Sequence, residues 1–524
     1  MNDEETRQRE GIGGGYSRYV LGVLVLVYVF NFIDRQILSI LAEEIKADLG
    51  LSDAQLGFLY GTAFAVFYAV FGIPLSRLAD VWTRRSLISV GLAFWSGMTA
   101  LSGLARSFGT LAACRIGVGI GESSATPAAF SMLSDYFPPE RRATVLSIYS
   151  SGVYIGAGLG IFLGGWIVDF WGGAYPDPAD APFGLKGWHV AFFAVGLPGL
   201  LMSAWVRTLK EPIRGISEGL VTPPHPEPFR EFGRELMAVV PGLTFVSLAR
   251  AGGGRMLATN LLALGVLAMA AWGLTYWLGT PPQWIALALG VYAAVSWIQG
   301  LRLRDRPTFA LIFQSRALLY SATGFSFLAF SGYGIGFWTA PFFLRQHGVA
   351  TGEAGMILGL TAAIMGWAGV TTGGVVSDYL RRYTPNGRLW VGLFTASAPV
   401  PFVYWLLATD NTTTAYIVNA VVALFAGMWI GPAASTVNDL VLPRMRAMAS
   451  ATYILFVTFI GLALGPYSIG RMSVALGDDL RGAMTLSLVV FIPAIILIAM
   501  GMRHLPSEEP TRLDRARAAG EVLD

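Results

Sequence analysis

Four charged side chains sit where a membrane-spanning chain tolerates charge least. Asp34 and Arg35 lie in Asn31-Phe32-Ile33-Asp34-Arg35-Gln36, after the apolar or small run 19–30 and before the apolar run 37–41. Arg115 and Glu122 bound a second such stretch, Arg115-Ile116-Gly117-Val118-Gly119-Ile120-Gly121-Glu122. Ionisable groups at that depth cost several kcal/mol unless they face a polar interior, and their default reading is functional. On a helix, Arg115, Gly119 and Glu122 fall at i, i+4 and i+7 on one face, with Gly119 leaving a notch. At ~1.5 Å rise per residue, Asp34 lies about 6 Å and Arg115 about 10 Å to the outer side of a midplane near Glu122. If the two helices are neighbours, the depth of Asp34 falls between those of Arg115 and Glu122. Arg35, turned ~100° from Asp34, need not share its partner.

The chemistry such a set can do is proton exchange. Apolar surroundings disfavour a bare carboxylate at Glu122, whereas Arg35 or Arg115 beside Asp34 favours its charge. Protonating either carboxyl frees an arginine for water or an anionic head group. Asp34 and Glu122 are therefore the candidate proton carriers, and Arg35 and Arg115 the candidate charge partners or substrate contacts. The competing reading makes all four fixed ion pairs that hold helices together.

The elements that must position these groups are membrane helices. The 524 residues are 54% hydrophobic and 13% charged, which excludes an ordinary soluble enzyme. Spans are expected near 19–41, 54–78, 85–105, 110–134, 144–170 and 189–206. A second set is expected near 317–343, 354–380, 389–407, 415–440, 447–469 and 483–503. Two more, near 256–279 and 284–301, lie between them. Leu236 to Ala249, interrupted by Pro241, is too short to span and is expected in the interface.

The result is an all-α polytopic membrane protein of about 14 spans. Its divisions are a tail at 1–18, a six-helix bundle at 19–207, a linker with two extra helices at 208–315, a second six-helix bundle at 316–504 and a charged, disordered tail at 505–524. The first span is read as retained, not as a cleaved signal. Arginines cluster in alternate loops, which places both termini in the cytoplasm, with the protein in a bacterial inner membrane.

The two sets of six echo each other. Ser76-Arg77-Leu78-Ala79-Asp80, then Arg84-Arg85, is matched by Val376-Ser377-Asp378, then Arg381-Arg382. Pro127-Ala128-Ala129, then Asp135, Pro138 and Arg142, is matched by Pro432-Ala433-Ala434, then Asp439, Pro443 and Arg446. Two pseudo-symmetric bundles are implied, with a site expected near the midplane where repeats meet.

These motifs resemble the major facilitator superfamily. Its loop signature, roughly G-x-x-x-D-R-x-G-R-R, is met at Asp80, Arg84 and Arg85, while Ser76, Val81 and Thr83 depart from it. Arg115, Gly119 and Gly121 match its R-x-x-x-G-x-G pattern. Gly152, Gly156, Gly158, Gly160, Gly164 and Gly165 resemble its glycine-rich fifth helix. The combination of N-F-x-D-R, G-x-G-E-S and P-P-E-R-R is similar to the Spinster branch in a bacterial version. The resemblance implies a major facilitator fold working by alternating access, with proton-linked movement of an amphiphile. Lysolipids and sphingosine phosphate are among the substrates associated with eukaryotic members. Asp80, Arg84 and Arg85 become a conformational latch, with Asp378, Arg381 and Arg382 as its weaker echo.

The second set of six lacks ionisable groups deep in its spans and carries Tyr333, Trp338 and Asn438 instead. A charged half and an aromatic half suit a substrate with a polar head and a greasy body, and those three residues are candidate contacts. The other partners are protons and membrane lipid, with no nucleic acid, and the protein is read as a monomer. No cofactor or metal is expected. Cys114 is the single cysteine, and the four histidines lie in loops or at span ends. None of the three lysines is followed by Ser or Thr, so there is no P-loop and no primary pump. An enzyme is disfavoured. A proton-independent facilitator, or a non-transporting sensor on a transporter fold, is the alternative.

Overall fold

The computed structural model describes residues 11–218, 225–240 and 242–521. Every regular element among them is helical. Twelve helices are long and apolar enough to cross a membrane. Two less apolar segments, Arg84–Ser102 and the broken pair Phe108–Glu122 and Ala125–Tyr136, complete the fourteen expected from hydropathy.

The break in the fourth span has a local cause. Pro127 has no N–H to offer the carbonyl four residues back, and the helix is interrupted at Ser123-Ser124. The two serine hydroxyls bond back to the Ile120 and Gly121 carbonyls, each at 2.8 Å. Pro432 does the same in the second set, where Thr412–Met428 gives way to Ile430–Asp439. The sequence echo at the two prolines is thus an echo of two helix breaks.

The chain forms two compact units that interleave along the sequence. Unit 1 comprises residues up to Leu49, Val70–Met237 and Ala350–Ala363, and unit 2 comprises Gly50–Ala69, Ala238–Val349 and the chain from Ile364 onward. In unit 1 the glycine-rich helix Arg142–Ala174 presses on Gly15–Ile40. A Cβ on Gly156 would lie 2.4 Å from the Val29 carbonyl oxygen, and one on Gly160 2.9 Å from that of Ile33. Small residues at such crossings let backbones approach in place of bulky packing. The contact fixes the first helix at the level of Asp34.

Unit 2 holds the Arg-poor half of the second span against a distorted helix. The stretch Val457–Ala463 is π-helical. Its wider turn leaves carbonyls short of their usual partners, and the buried Thr62 hydroxyl donates to the Ala463 carbonyl at 2.8 Å. A Cβ on Gly57 would fall 2.4 Å from the Pro466 carbonyl oxygen.

The two extra helices, Thr244–Leu278 and Pro281–Arg304, are joined in unit 2 by a buried polar network. Tyr292 donates to Asn260 Oδ1 at 2.6 Å, and Asn260 Nδ2 donates to Ser296 Oγ at 3.0 Å and Gln299 Oε1 at 2.8 Å. The opposite face of the first of them exposes Leu262, Met269, Trp272, Tyr276 and Trp277, as a lipid-facing helix does.

Two expectations are corrected. Residues 236–249 are not one interfacial segment: they are divided between the amphipathic helix Pro228–Val239 and the start of Thr244–Leu278, which kinks at Gly253 with φ +66°. The tail at 505–524 is not disordered over its described part. The last span runs on to Glu508 and a short helix, Arg512–Ala518, comes after it. Glu508 accepts from Ser315 Oγ at 2.5 Å, Arg512 donates to the Asp439 carbonyl at 3.0 Å, and Glu521 pairs with Arg444.

Candidate functional site

Asp34, Arg115 and Glu122 are each 1% exposed and come together in unit 1. Gly15–Ile40 supplies Asn31, Asp34 and Arg35, and Phe108–Glu122 supplies Arg115 and Glu122 as the last residue before the helix break. Arg84–Ser102 adds Trp95 and Thr99, one turn apart and fully buried. Gly121 allows the third and fourth helices to close, since a Cβ there would lie 2.9 Å from the Trp95 backbone nitrogen.

The pairing differs from the expectation that an arginine holds the Asp34 carboxylate. Arg35 Nε donates to Glu122 Oε2 at 2.6 Å, and its guanidinium carbon lies 4.8 Å from the Phe32 ring centroid. Arg115 Nη1 donates to the Asp34 backbone carbonyl at 3.2 Å. The ~100° turn between Asp34 and Arg35 directs the arginine to the other carboxylate. The remaining oxygens, Asp34 Oδ1 and Glu122 Oε1, are buried without a hydrogen-bond partner, as are Asn31 Oδ1, Thr99 Oγ1 and Trp95 Nε1. Thr99 and Trp95 flank Asp34, and Asn31 flanks Glu122. Buried polar atoms left unpaired in a native fold call for an explanation. Here they surround two carboxyls, one of them paired with Arg35, which is an arrangement able to take up a proton or water.

The predicted latch is built from other partners. Asp80 is exposed, and among the described residues no ion pair joins it to Arg84 or Arg85. Arg84 is buried and turns to Asp135, to Glu211 Oε1 at 2.8 Å and to the Pro212 carbonyl at 2.8 Å. Arg85 donates to the Leu209 carbonyl at 2.6 Å. In unit 2 the counterpart of Arg84 is Arg388, which opens the corresponding third helix, pairs with Asp439 and lies 3.6 Å from Asp378. Arg381 pairs with Glu509, while Arg382 is exposed.

The aromatic candidates do not form one set. Trp338 is fully buried and donates its indole N–H to the Pro466 carbonyl at 2.9 Å, which makes it a packing residue of unit 2. Tyr333 is half-buried against the unit 2 core. Asn438 Oδ1 accepts from Ser450 at 3.0 Å.

Sequence reasoning missed several groups. Asn31 was in view within its motif. Trp95 and Thr99 are marked only by an i, i+4 spacing in one of the less apolar spans. Glu211 and Arg388 stand out only once their bundles fold. Among the described residues no cluster of His, Cys, Asp and Glu could hold a metal ion.

An all-helical membrane protein with an internal repeat, matched helix breaks and buried charge in its first and fourth spans is a transporter of the major facilitator fold. The chain belongs to the Major Facilitator Superfamily, whose model matches residues 24–466. It is 26% identical to an MFS-type efflux pump of Mycolicibacterium smegmatis, over 91% of this chain and 90% of that protein. It is 25% identical to protein spinster homolog 1 of Mus musculus, over 88% of this chain and 74% of that protein. A crystal structure of a bacterial homolog of the human lysosomal transporter Spinster, inward-facing and unoccupied, superposes with a TM-score of 0.68 at 26% identity. That match covers 96% of this chain and 98% of the other. The protein is therefore Spinster-like, and a membrane transporter rather than an enzyme.

Proposed function

We propose that the protein is a proton-coupled secondary transporter of an amphiphilic or lipid-like molecule, working by alternating access. The observation that carries this reading is the asymmetry of the two buried carboxyls. Glu122 is engaged by Arg35 through one oxygen, whereas Arg115 reaches Asp34 at its backbone carbonyl. Proton arrival at Glu122 would release Arg35 to an anionic head group, and its departure would restore the pair. Asp34 is the second carrier, with Arg115 holding its backbone and Asn31, Thr99 and Trp95 bordering the pair. Tyr333 and Asn438 are kept as proposed contacts for the apolar body of the substrate, and Trp338 as support behind them. The similarity to a homolog of a lysosomal transporter and to an efflux pump supports the transport part of this reading. The arginine distribution supports an inner-membrane protein with cytoplasmic termini.

The test uses purified protein in liposomes loaded with a pH-sensitive dye. Under an imposed pH gradient, lysolipids and other single-chain amphiphiles are added to wild type, Asp34→Asn and Glu122→Gln. Substrate-dependent proton flux in wild type, lost in either variant, is expected. Substrate movement without protons, unchanged in both variants, would make the carboxyls structural and the protein a facilitator.

A further inference from the structure

The two extra helices of unit 2 enclose a space that the transport chemistry above does not use. Thr244–Leu278 and Pro281–Arg304 are tied to each other at two levels. At one, Tyr292 and Asn260 share the buried hydrogen bonds that reach Ser296 and Gln299. At the other, the chain turns back through Gly279 and Thr280, both at positive φ, and the Trp284 indole donates to the Gly279 carbonyl at 3.1 Å. Between these ties lies a cavity of about 350 Å³. Leu264, Ala268 and Ala271 line one wall, Ile285 and Ala288 the other, and Tyr292 stands where the buried network begins. Alanines at facing positions leave volume that larger side chains would fill.

The length of this cavity matches a lipid chain. Its lining runs from Leu264 to Thr275 on one helix and from Pro281 to Tyr292 on the other, about 16 Å along each. That is close to half of the ~30 Å hydrocarbon core, the depth of one leaflet. Tyr292 lies midway along the 24 residues of Pro281–Arg304, so one end of the cavity falls near mid-bilayer and the other at the interface. Exposed Tyr276 and Trp277 stand beside the interfacial end, the level such rings prefer. Trp272 and Ile285 line the cavity and are themselves exposed, so it opens sideways to the bilayer. The span Gly253–Leu278 has little protein to lean on: 11% of its apolar stretch is buried, against 61% for Arg316–His347. The interfacial end also carries a cation. Leu278 lies seven residues beyond Ala271 on the same helix face, and its carbonyl accepts from Arg471 Nε at 2.7 Å. Among the described residues Arg471 makes no ion pair, and it is half-buried. Its two terminal nitrogens form the fork that binds a phosphate through parallel hydrogen bonds.

We propose that the two extra helices hold one phospholipid, with an acyl chain in the cavity and its phosphate at Arg471. The lipid belongs to the leaflet on the side of the 279–283 turn. A chain of leaflet length fills the space between walls that do not meet, and the phosphate supplies the charge opposite Arg471. A lipid so placed is a wedge that fastens Thr244–Leu278 to the rest of unit 2. The site stands on the geometry of unit 2 and is independent of proton coupling and of the molecule transported.

Native mass spectrometry of the full-length protein, delipidated in detergent and then titrated with one probe at a time, tests it. The probes are phosphatidylglycerol, diacylglycerol with the same chains and no phosphate, and glycerol 3-phosphate with no chain. Wild type is expected to bind one phosphatidylglycerol saturably and diacylglycerol about tenfold more weakly. Glycerol 3-phosphate should not displace the lipid. Ala271→Phe, which fills the cavity, should weaken phosphatidylglycerol about tenfold, while Leu262→Phe on the exposed opposite face should leave it unchanged. Arg471→Gln should lower phosphatidylglycerol to the level of diacylglycerol and leave diacylglycerol itself unaffected. Arg471→Lys, which keeps the charge, should restore most of the difference. Equal lipid binding in wild type, Ala271→Phe and Arg471→Gln would mean unspecific boundary lipid and would overturn the proposal. Displacement by glycerol 3-phosphate alone would overturn it in favour of a simple anion site. A dimer that carries no lipid and is lost in Ala271→Phe would overturn it in favour of a second copy of the chain.

Discussion

At the scale of single residues, the pairing of the two carboxyls decides what can be tested. Arg35→Gln leaves Glu122 buried with no cation on either oxygen, and stranding one member of a buried pair costs about 3–5 kcal/mol. Thermal unfolding in detergent should show that loss. Arg35→Gln with Glu122→Gln should be the more stable of the two, since no unpaired charge remains and the coupling between the sites is removed with them. Equal destabilisation in single and double variants would mean that Arg35 acts through its Phe32 contact and not through Glu122. The residues themselves were legible in the sequence, because ionisable groups amid apolar runs are conspicuous. Their pairing was not, because a step of one residue on a helix redirects a long side chain by ~100°. Thr99 and Trp95 were hidden for another reason: neutral polar and aromatic groups are unremarkable in a membrane helix until a buried carboxyl is found beside them.

Single elements are held by close approach and by local ion pairs, and each makes a prediction. Gly156→Leu must push a branched side chain into the Val29 carbonyl, where even a Cβ lies 2.4 Å away. Overpacking of that kind costs about 1–3 kcal/mol and should lower the unfolding temperature. Gly172→Leu on the same helix, where a Cβ meets no atom within 4 Å, should have little effect. The short helix Ala42–Leu49 is tied down differently. Asp48 pairs with Lys186 and accepts from the Trp188 indole at 2.9 Å. Burial opposes its charge, but Lys186 and Trp188 outweigh it and hold the carboxyl below the usual aspartate value of 3.8. A carboxyl lowered by folding stabilises fully above its unfolded value and loses that contribution as pH falls through the folded one. The protection factors of the amides in residues 42–49, exchange taken relative to the intrinsic rate at each pH, should therefore stay constant from neutral pH down to about 4 and fall below it. Asp48→Asn should exchange faster already at neutral pH and lose that acid step. The fifth helix's glycine face could be read from spacing alone. The Asp48 contacts could not, because their partners lie more than a hundred residues along the chain.

Across the whole molecule the internal repeat was legible as paired motifs, while its structural content was not. The proline echoes turned out to be helix breaks. The charge echoes turned out to be two clusters of the same design, built on Arg84 with Asp135 and Glu211, and on Arg388 with Asp439 beside Arg381 and Glu509. Sequence alignment of the loops pointed to Asp80 and Asp378, which are the exposed members, since alignment sees spacing and not which way a guanidinium turns. The deeper acids sit at the ends of the fourth spans and just beyond the sixth ones. Each cluster fastens the segment that leaves its bundle. Arg84 receives the stretch after Arg207 through Glu211 and the Pro212 carbonyl, and Arg214 anchors the same stretch on the Ala79 and Trp82 carbonyls at 2.9 and 3.1 Å. Arg381 receives Glu509, and Asp439 receives both Arg388 and, through its carbonyl, Arg512. Arg84→Ala should then free the first segment and speed tryptic cleavage after Lys210 and Arg214. Arg388→Ala should speed cleavage after Arg512 and Arg515 and leave the Lys210 site protected. If each variant instead accelerated both sets of sites equally, the clusters would not be local fastenings, and the repeat would be one cooperative charge network spread over the chain.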